Sequence, residues 1–317
     1  MDLLFLGTSA GMPSKLRNVT GLALIEDQGK GWYLVDCGEA TQHQLLHTPL
    51  SMHGLKAIFI THIHGDHCYG LPGLLASAAM QGRTEPLTIV APRGVHEWLE
   101  ATRGLVELYT PYGLDYIVTD SLDELVIDDM HITAHALEHR VPSWAYRFSQ
   151  HAPKSLDKDK LEADGIPRGP IWGLLQQGLD AELDGRPVLA EQYRIERFPP
   201  TVMVIGGDNA RPELLAAACH NAHVLVHEAT YTTEVSARVG EEYGHSDALR
   251  VARFAEQVGL PNLILTHFSA RYKPAGYPSP SMDDIRQEAE AVYSGQLFLA
   301  EDFARFRVGP DGSLHRV

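Results

Sequence analysis

Residues 60–73 read ITHIHGDHCYGLPG. The stretch closes a nearly continuous apolar run, LKAIFIT (55–61), and opens a helix-like segment, GLPGLLASAAMQG (70–82). Between them His62, His64, Asp66 and His67 fall within six positions. Imidazole and carboxylate are the donors that suit zinc and similar divalent ions. His62 and His64 are two apart, so at the end of a strand they point to the same side. A turn at Gly65 then carries Asp66 and His67 to a second point nearby. One loop thus offers two ligand pairs, half of a two-metal hydrolytic site. A solvated polar loop is the plainer reading, and four ligand-type residues in six positions argue against it.

The other half is sought at strand ends, because sites in open α/β sheets gather at the carboxyl ends of strands. ITAHALEH (132–139) ends at His139, TVMVIGGD (201–208) at Asp208 and NLILTH (262–267) at His267. Taken singly, each of these is more often a turn residue than a ligand. Together with the loop they make seven candidate ligands. Asp208 is the natural bridge, since a carboxylate can bind one cation through each oxygen. Asp36 ends another strand, GWYLVDCG (31–38). It either accepts a hydrogen bond from a ligand histidine or is an ordinary turn aspartate.

The rest of the chain reads as alternating elements. DLLFLG (2–7) is an opening strand, and GLALIED (21–27) with GWYLVDCG looks like a hairpin. PLTIVAP (86–92) and AHVLVHEAT (222–230) read as strands, and MHITAHALEH (130–139) alternates as a half-buried strand does. RGVHEWLEATRGLVELY (93–109), SDALRVARFAEQVG (246–259) and SMDDIRQEAEAVY (281–293) read as helices, and QLFLAEDFARFRV (296–308) closes the chain in strands. Strands that come partly in hairpins predict mixed sheets with helices outside them, an α/β (α+β) architecture. Residues 1–317 read as one domain. Residues 151–197 break the pattern: they are polar, marked by Gly and Pro, and read as an inserted arm.

Composition bounds the function. With 44% hydrophobic residues the chain can bury a large core, and its net charge of −15 gives no long-range attraction for nucleic acid. Cys37, Cys68 and Cys219 are isolated, with no CxxC pair. That is the usage of a reducing compartment, and for Cys37 and Cys68, close in sequence to the candidate ligands, buried neutral thiols are expected. No basic leader and no membrane-length apolar run is present, so a cytoplasmic protein is expected.

The motifs together resemble the metallo-β-lactamase superfamily, and within it the short bacterial ribonuclease Z family of tRNA 3′-processing endonucleases. The resemblance runs nearly end to end. It is carried by LFLGTSAGMPS (4–14), NVT (18–20), DCGEATQHQLL (36–46), the metal loop, LEH (137–139), GIPRGP (165–170), GGD (206–208), HEAT (227–230), GHS (244–246), THFSARY (266–272) and LAEDF (299–303). HEAT and GHS point to this family more sharply than the shared metal loop does. Two departures stand out. The usual GDT reads GDN here, with Asn209, and the usual CGEGTQ reads CGEATQ, with Ala40. Neither removes a ligand, and both lie close enough to the ligands to bear on substrate preference.

The resemblance implies a four-layered αββα sandwich with an inserted arm and two divalent ions, zinc foremost, with manganese or iron compatible. It implies that His62, His64 and His139 hold one ion, that Asp66, His67 and His267 hold the other, and that Asp208 bridges. It implies cleavage of precursor tRNA at its 3′ end, leaving a 3′-hydroxyl. Asp66 would act as general base and His245 would protonate the leaving oxygen, with Glu228 as its acidic partner. The arm would grip the tRNA elbow through Gly169 and Pro170, one subunit of a homodimer serving the other. Arg271 and Tyr272 would bind a terminal phosphate or stack on a base. The arm's charge is mixed, with nine acidic residues against seven basic between 151 and 197, though Lys154, Lys158 and Lys160 form a small basic cluster. The competing reading is a hydrolase of the same fold acting on a small phosphodiester, lactone or lactam.

Overall fold

Strand Asp2–Gly7 is buried along its whole length, and its alternation sets the layering. Leu3 and Phe5 join Tyr33, Phe59, Phe148 and Met203 in one apolar cluster. Leu4 and Leu6, on the opposite face, join Leu34, Ile58, Leu71 and Leu75 in another. A strand packed on both faces belongs to a sheet covered on both sides. In the computed structural model, which describes residues 1–27, 29–151, 154–196, 199–309 and 311–317, two mixed sheets stack with the first of these clusters between them.

The first sheet runs Leu314–Arg316, Arg305–Val308, Asp2–Gly7, Gly21–Ile25, Trp32–Cys37, Leu55–Phe59, Leu87–Ala91, Leu114–Val118. Its first five strands pair antiparallel and the remainder parallel. The second runs Gln296–Leu299, Asn262–Thr266, Val224–Glu228, Thr201–Ile205, Ser143–Gln150, Met130–Leu137, Leu125–Ile127. Helices Leu71–Met80 and Arg93–Leu105 cover the first sheet. Helices Ala248–Gln257 and Met282–Glu290 cover the second, seating Val251, Phe254, Ile285 and Ala289 on Leu225, Leu263 and Leu265. Asp247 caps the first of these, accepting from the Arg250 amide at 2.9 Å, and a Ser281–Asp284 capping box opens the second. This is the metallo-β-lactamase fold, four layers deep, as the resemblance implied.

The second sheet positions the site. Strands Thr201–Ile205, Val224–Glu228 and Asn262–Thr266 are mutually parallel. Met130–Leu137 lies parallel to them across two antiparallel steps. His139, Asp208, Glu228 and His267 therefore arrive at one end of the sheet. The strand Ser143–Gln150, which supplies the middle of that sheet, was not among the sequence expectations. Its residues Ala145, Tyr146 and Phe148 are divided between two cores, so no half-buried alternation marks it.

Residues 154–196 fold as a small unit. Helices Lys158–Ala163 and Pro170–Gln176 and two two-stranded sheets enclose Leu156, Leu161, Ile166, Leu175, Val188 and Tyr193. The sequence predicts no core in this segment, and the structure builds one, from apolar residues spaced too irregularly to show a period. The expected arm, 151–197, also includes residues 152, 153 and 197, which lie outside the described residues. Gln150 and Thr201 are register partners, so the unit leaves and rejoins the sheet at adjacent points.

Ala40 precedes the helix Thr41–Leu45 with φ 60° and ψ 13°, a left-handed conformation. This conformation costs an alanine roughly 1–2 kcal/mol relative to glycine, against roughly 0.4–1 kcal/mol of extra unfolded-chain entropy that glycine brings. Ala40→Gly is expected to stabilise the protein by about 0.5–1 kcal/mol. The denaturant midpoint will rise at unchanged slope, and a fall in midpoint would contradict this account.

Candidate metal centre

The loop after strand Leu55–Phe59 delivers both ligand pairs. His62 and His67 are buried, and His64 and Asp66 are partly open to the cleft. His64 Nδ1 lies 3.0 Å from His62 Nε2 and 3.1 Å from His139 Nε2. His67 Nε2 lies 3.2 Å from His267 Nε2 and 3.4 Å from Asp66 Oδ2. His267 Nε2 is 3.3 Å from the same oxygen. Asp208 stands between the two trios. Its Oδ2 is 3.6 Å from His62 Nε2 and 3.7 Å from His139 Nε2, and its Oδ1 is 3.4 Å from both His67 Nε2 and His267 Nε2. All seven candidate ligands are thus brought together, in two groups whose donor atoms each lie within 4.8 Å of one another.

The residues suit cations on three counts. Asp208 Oδ1 is buried with no hydrogen-bond partner among the described residues, and such an atom costs roughly 1–3 kcal/mol unless something satisfies it. Four of the five histidines have their outer nitrogen occupied. His67 Nδ1 donates to Asp36 Oδ2 (2.7 Å), His139 Nδ1 to the Gly244 carbonyl (2.8 Å), His62 Nδ1 to Thr61 Oγ1 (3.0 Å) and His267 Nδ1 to Thr230 Oγ1 (3.0 Å). Each bond fixes the tautomer that leaves the Nε2 lone pair facing inward. Third, burial, with the neighbouring histidines adding to it, pushes His62 well below the ordinary imidazole range. His64 and His139 are also lowered, burial again leading. A neutral imidazole is the ligating form. Around the second group the balance reverses. Burial would lower His67, but Asp66, Asp208 and Asp36 outweigh it and raise its proton affinity. Burial would raise Asp66, but His67 and His267 hold it below the usual carboxylate range. That pocket favours positive charge.

Asp36 is the anchor of the loop. It accepts from the Thr61 amide (2.8 Å) and hydroxyl (3.0 Å) as well as from His67. Asp36 and His267 both adopt left-handed backbone, with φ 60° and 57°. Non-glycine residues held there are characteristic of functional sites.

Glu228 is fully enclosed and gathers the second half. It accepts from the amides of Asn209 (3.1 Å), Ser246 (2.9 Å) and Thr230 (3.1 Å) and from Thr230 Oγ1 (2.5 Å). His245 Nδ1 stands 3.2 Å from Glu228 Oε1. Burial alone would lower His245, but Glu228, then Asp208, hold it at about 9. His245 also lies near enough to Asp208 and His267 to form a third grouping of donors. Its Nδ1 faces Glu228, which suits a proton carrier better than a ligand.

Other expectations fare differently. Arg271 is exposed, its guanidinium 5.1 Å over the Tyr231 ring. Tyr272 corrects the sequence reading: only 6% exposed, with its hydroxyl receiving the Thr232 amide at 2.6 Å, it has no face to offer a base. Gly169 and Pro170 sit exposed at the start of a helix in the small unit. Asn209 is fully buried. Its Nδ2 is 3.1 Å from His227 Nε2, and its Oδ1 accepts from the Arg211 and Glu138 amides. Its side chain therefore packs beneath the ligands and does not face the cleft. Cys37, Cys68 and Cys219 are free and buried, and burial pushes Cys68 and Cys219 up to about 12. The hydroxyls of Thr61 and Thr230 and the Gly244 carbonyl, which orient three ligands, carry no signal that sequence reasoning could have used. The Gly11 amide, donating to Asp66 Oδ2 at 2.7 Å, is another such group.

Comparison with known proteins adds a lineage. A family model described as anti-Pycsar protein Apyc1 matches residues 1–107. The chain is 52% identical over 318 residues to a ribonuclease Z of Pseudomonas putida, covering 100% of this chain and 99% of that one. It is 51% identical over 322 residues to a ribonuclease Z of Marinobacter nauticus, covering 100% and 99%. The crystal structure of human tRNase Z, short form, superposes with a TM-score of 0.67 at 26% identity, covering 98% of this chain and 100% of that one.

Proposed function

The chain belongs to the ribonuclease Z family, and from that premise we infer its reaction. It is a hydrolase that cuts precursor tRNA endonucleolytically at the 3′ end. The observation that carries this is that the likeness spans the whole chain, the small unit at 154–196 included, and does not stop at the metal loop.

The cluster would hold one cation by His62, His64 and His139 and a second by Asp66, His67 and His267, with Asp208 shared. The donor set favours zinc and is compatible with manganese or iron. When bound, such a pair supplies Lewis-acid stabilisation of phosphodiester charge and acidifies the attacking water. The remaining work falls to this chain's own side chains. Asp66, steadied by the Gly11 amide, takes a proton from the water that attacks phosphorus. The bond from phosphorus to the 3′-oxygen breaks, and His245 gives its proton to that oxygen, leaving a 3′-hydroxyl on the tRNA. Glu228 keeps His245 charged and oriented through the 3.2 Å contact. Arg271, over the Tyr231 ring that meets His245, would steady the phosphate.

The small unit, carrying Gly169 and Pro170, is the exosite for the tRNA body, and the protein works as a homodimer in the cytoplasm. Three buried free thiols support a reducing compartment. Among the described residues no helix is long and apolar enough to cross a membrane.

The test is a swap. Because Gln150 and Thr201 pair directly, a short turn can replace residues 151–200. Wild type is expected to trim a 3′-extended tRNA precursor. The shortened protein is expected to lose roughly 10²-fold or more in kcat/KM on that precursor, since remote binding energy is spent at the reacting centre. Its hydrolysis of a chromogenic small phosphodiester is expected to persist. Turnover of the small ester by wild type with the precursor left intact would favour the small-substrate reading instead.

A further inference from the structure

We propose that Arg140 and Tyr243 form a second grip on the RNA strand, across His245 from the Arg271–Tyr231 couple. The proposal rests on the endonuclease reading and names where the strand is held.

The chain carries a net charge of −15, and several arginines close in sequence to Asp208 or His245 are paired with carboxylates. Arg211 pairs with Glu138 at 3.3 Å, Arg238 with Glu234 at 3.3 Å, and Arg250 with Asp247 and Glu241 at 3.9 Å each. Arg140 and Arg271 differ. Among the described residues neither has a carboxylate within 4.0 Å, and each lies over a tyrosine ring, Arg140 at 6.0 Å from Tyr243 and Arg271 at 5.1 Å from Tyr231. An exposed arginine stacked on an aromatic ring gains roughly 0.5–1 kcal/mol. The ring also restricts the guanidinium, so less freedom is lost when the fork meets a phosphate.

Both couples are tied to the reacting centre by short stretches of chain. Arg140 follows the candidate ligand His139, and Tyr243 lies two residues before His245. Between them the Gly244 carbonyl accepts from His139 Nδ1 at 2.8 Å. A Cβ on Gly244 would come within 2.8 Å of that nitrogen, so residues 243–245 are seated directly on 139–140. On the other side the Tyr231 ring meets the His245 ring at 5.9 Å. Arg140 is exposed and Tyr243 is 44% exposed. The ring of His245, the proton donor, thus meets that of His139, next in sequence to Arg140, at 5.1 Å and that of Tyr231, which seats Arg271, at 5.9 Å. A polyanion with regularly spaced charges is the ligand that uses both arginines. Arg140 takes a backbone phosphate next to the one being cut, and Tyr243 holds the guanidinium for it.

The experiment uses the full-length, cation-loaded protein with a 3′-extended tRNA precursor and a chromogenic phosphodiester. Arg140→Ala is expected to raise KM for the precursor about tenfold with kcat within about twofold, the size of one charge-assisted hydrogen bond. The dependence of log KM on log salt should flatten by about 0.7–1, one phosphate's worth. The ratio of precursor to small-ester kcat/KM should fall about tenfold. Tyr243→Leu should show part of the same KM effect, and Tyr243→Phe should restore it. An unchanged KM and salt slope in Arg140→Ala, with wild type cutting normally, overturns the proposal alone. Equal losses on both substrates also overturn it, since they indicate damage through His139. A wild type inert on the precursor overturns the endonuclease reading and this proposal together.

Discussion

Asp208→Ala is expected to lower kcat/KM on precursor tRNA by about 10³–10⁴-fold, corresponding to several kcal/mol of lost charge stabilisation in the transition state. The reason is geometric. One Asp208 oxygen faces His62 and His139, and the other faces His67 and His267, so the substitution strips a ligand from both halves at once. Stability should change in the opposite sense to what burial alone suggests. In chelator-treated protein, removing a carboxylate with a buried, unpartnered oxygen costs little and can be favourable. With cation present, wild type gains stability by mass action, about 4 kcal/mol at a thousandfold excess over the dissociation constant, and the variant gains far less. Elemental analysis, turnover and paired melting curves with and without chelator check all three statements. A variant that keeps the wild-type cation content and rate would remove Asp208 from the centre of the account.

His245→Ala should lower kcat on the precursor by about 10²–10⁴-fold, the usual worth of a positioned general acid, with cation content retained. The leaving group discriminates. A ribose 3′-oxygen departs as a strong base and needs a proton, whereas a nitrophenolate does not. The same variant should therefore lose much less on a nitrophenyl phosphodiester. Equal losses on both substrates would mean that His245 serves the cluster structurally, through its contacts with Asp208 and His267, and not as a proton donor.

Metal chemistry made the ligands legible. Few residue types bind divalent ions, and the fold gathers strand ends, so His62, His64, Asp66 and His67 stood out by spacing and His139, Asp208 and His267 by their places at strand ends, and all seven converge in space. The layering was legible from strands such as Asp2–Gly7. Less legible was everything that orients the ligands. Thr61, Thr230 and the Gly244 carbonyl are ordinary in sequence, and only the distances to His62, His267 and His139 reveal their work. Tyr272 misled because it adjoins exposed Arg271 in sequence, and nothing in the sequence marks that its hydroxyl is taken up by Thr232. The core of residues 154–196 escaped notice because Leu161, Leu175 and Tyr193 are separated by charged and glycine-rich stretches that drown any period.

Asp36 reaches one half of the cluster through Thr61 and His62 and the other directly through His67. That carboxylate is held by the Thr61 amide and hydroxyl, so both halves lean on one buried support. Asp36→Asn is therefore expected to weaken cation retention in both halves together. Titration of that variant with cation would show it, and a loss confined to one half would part Asp36 from the other.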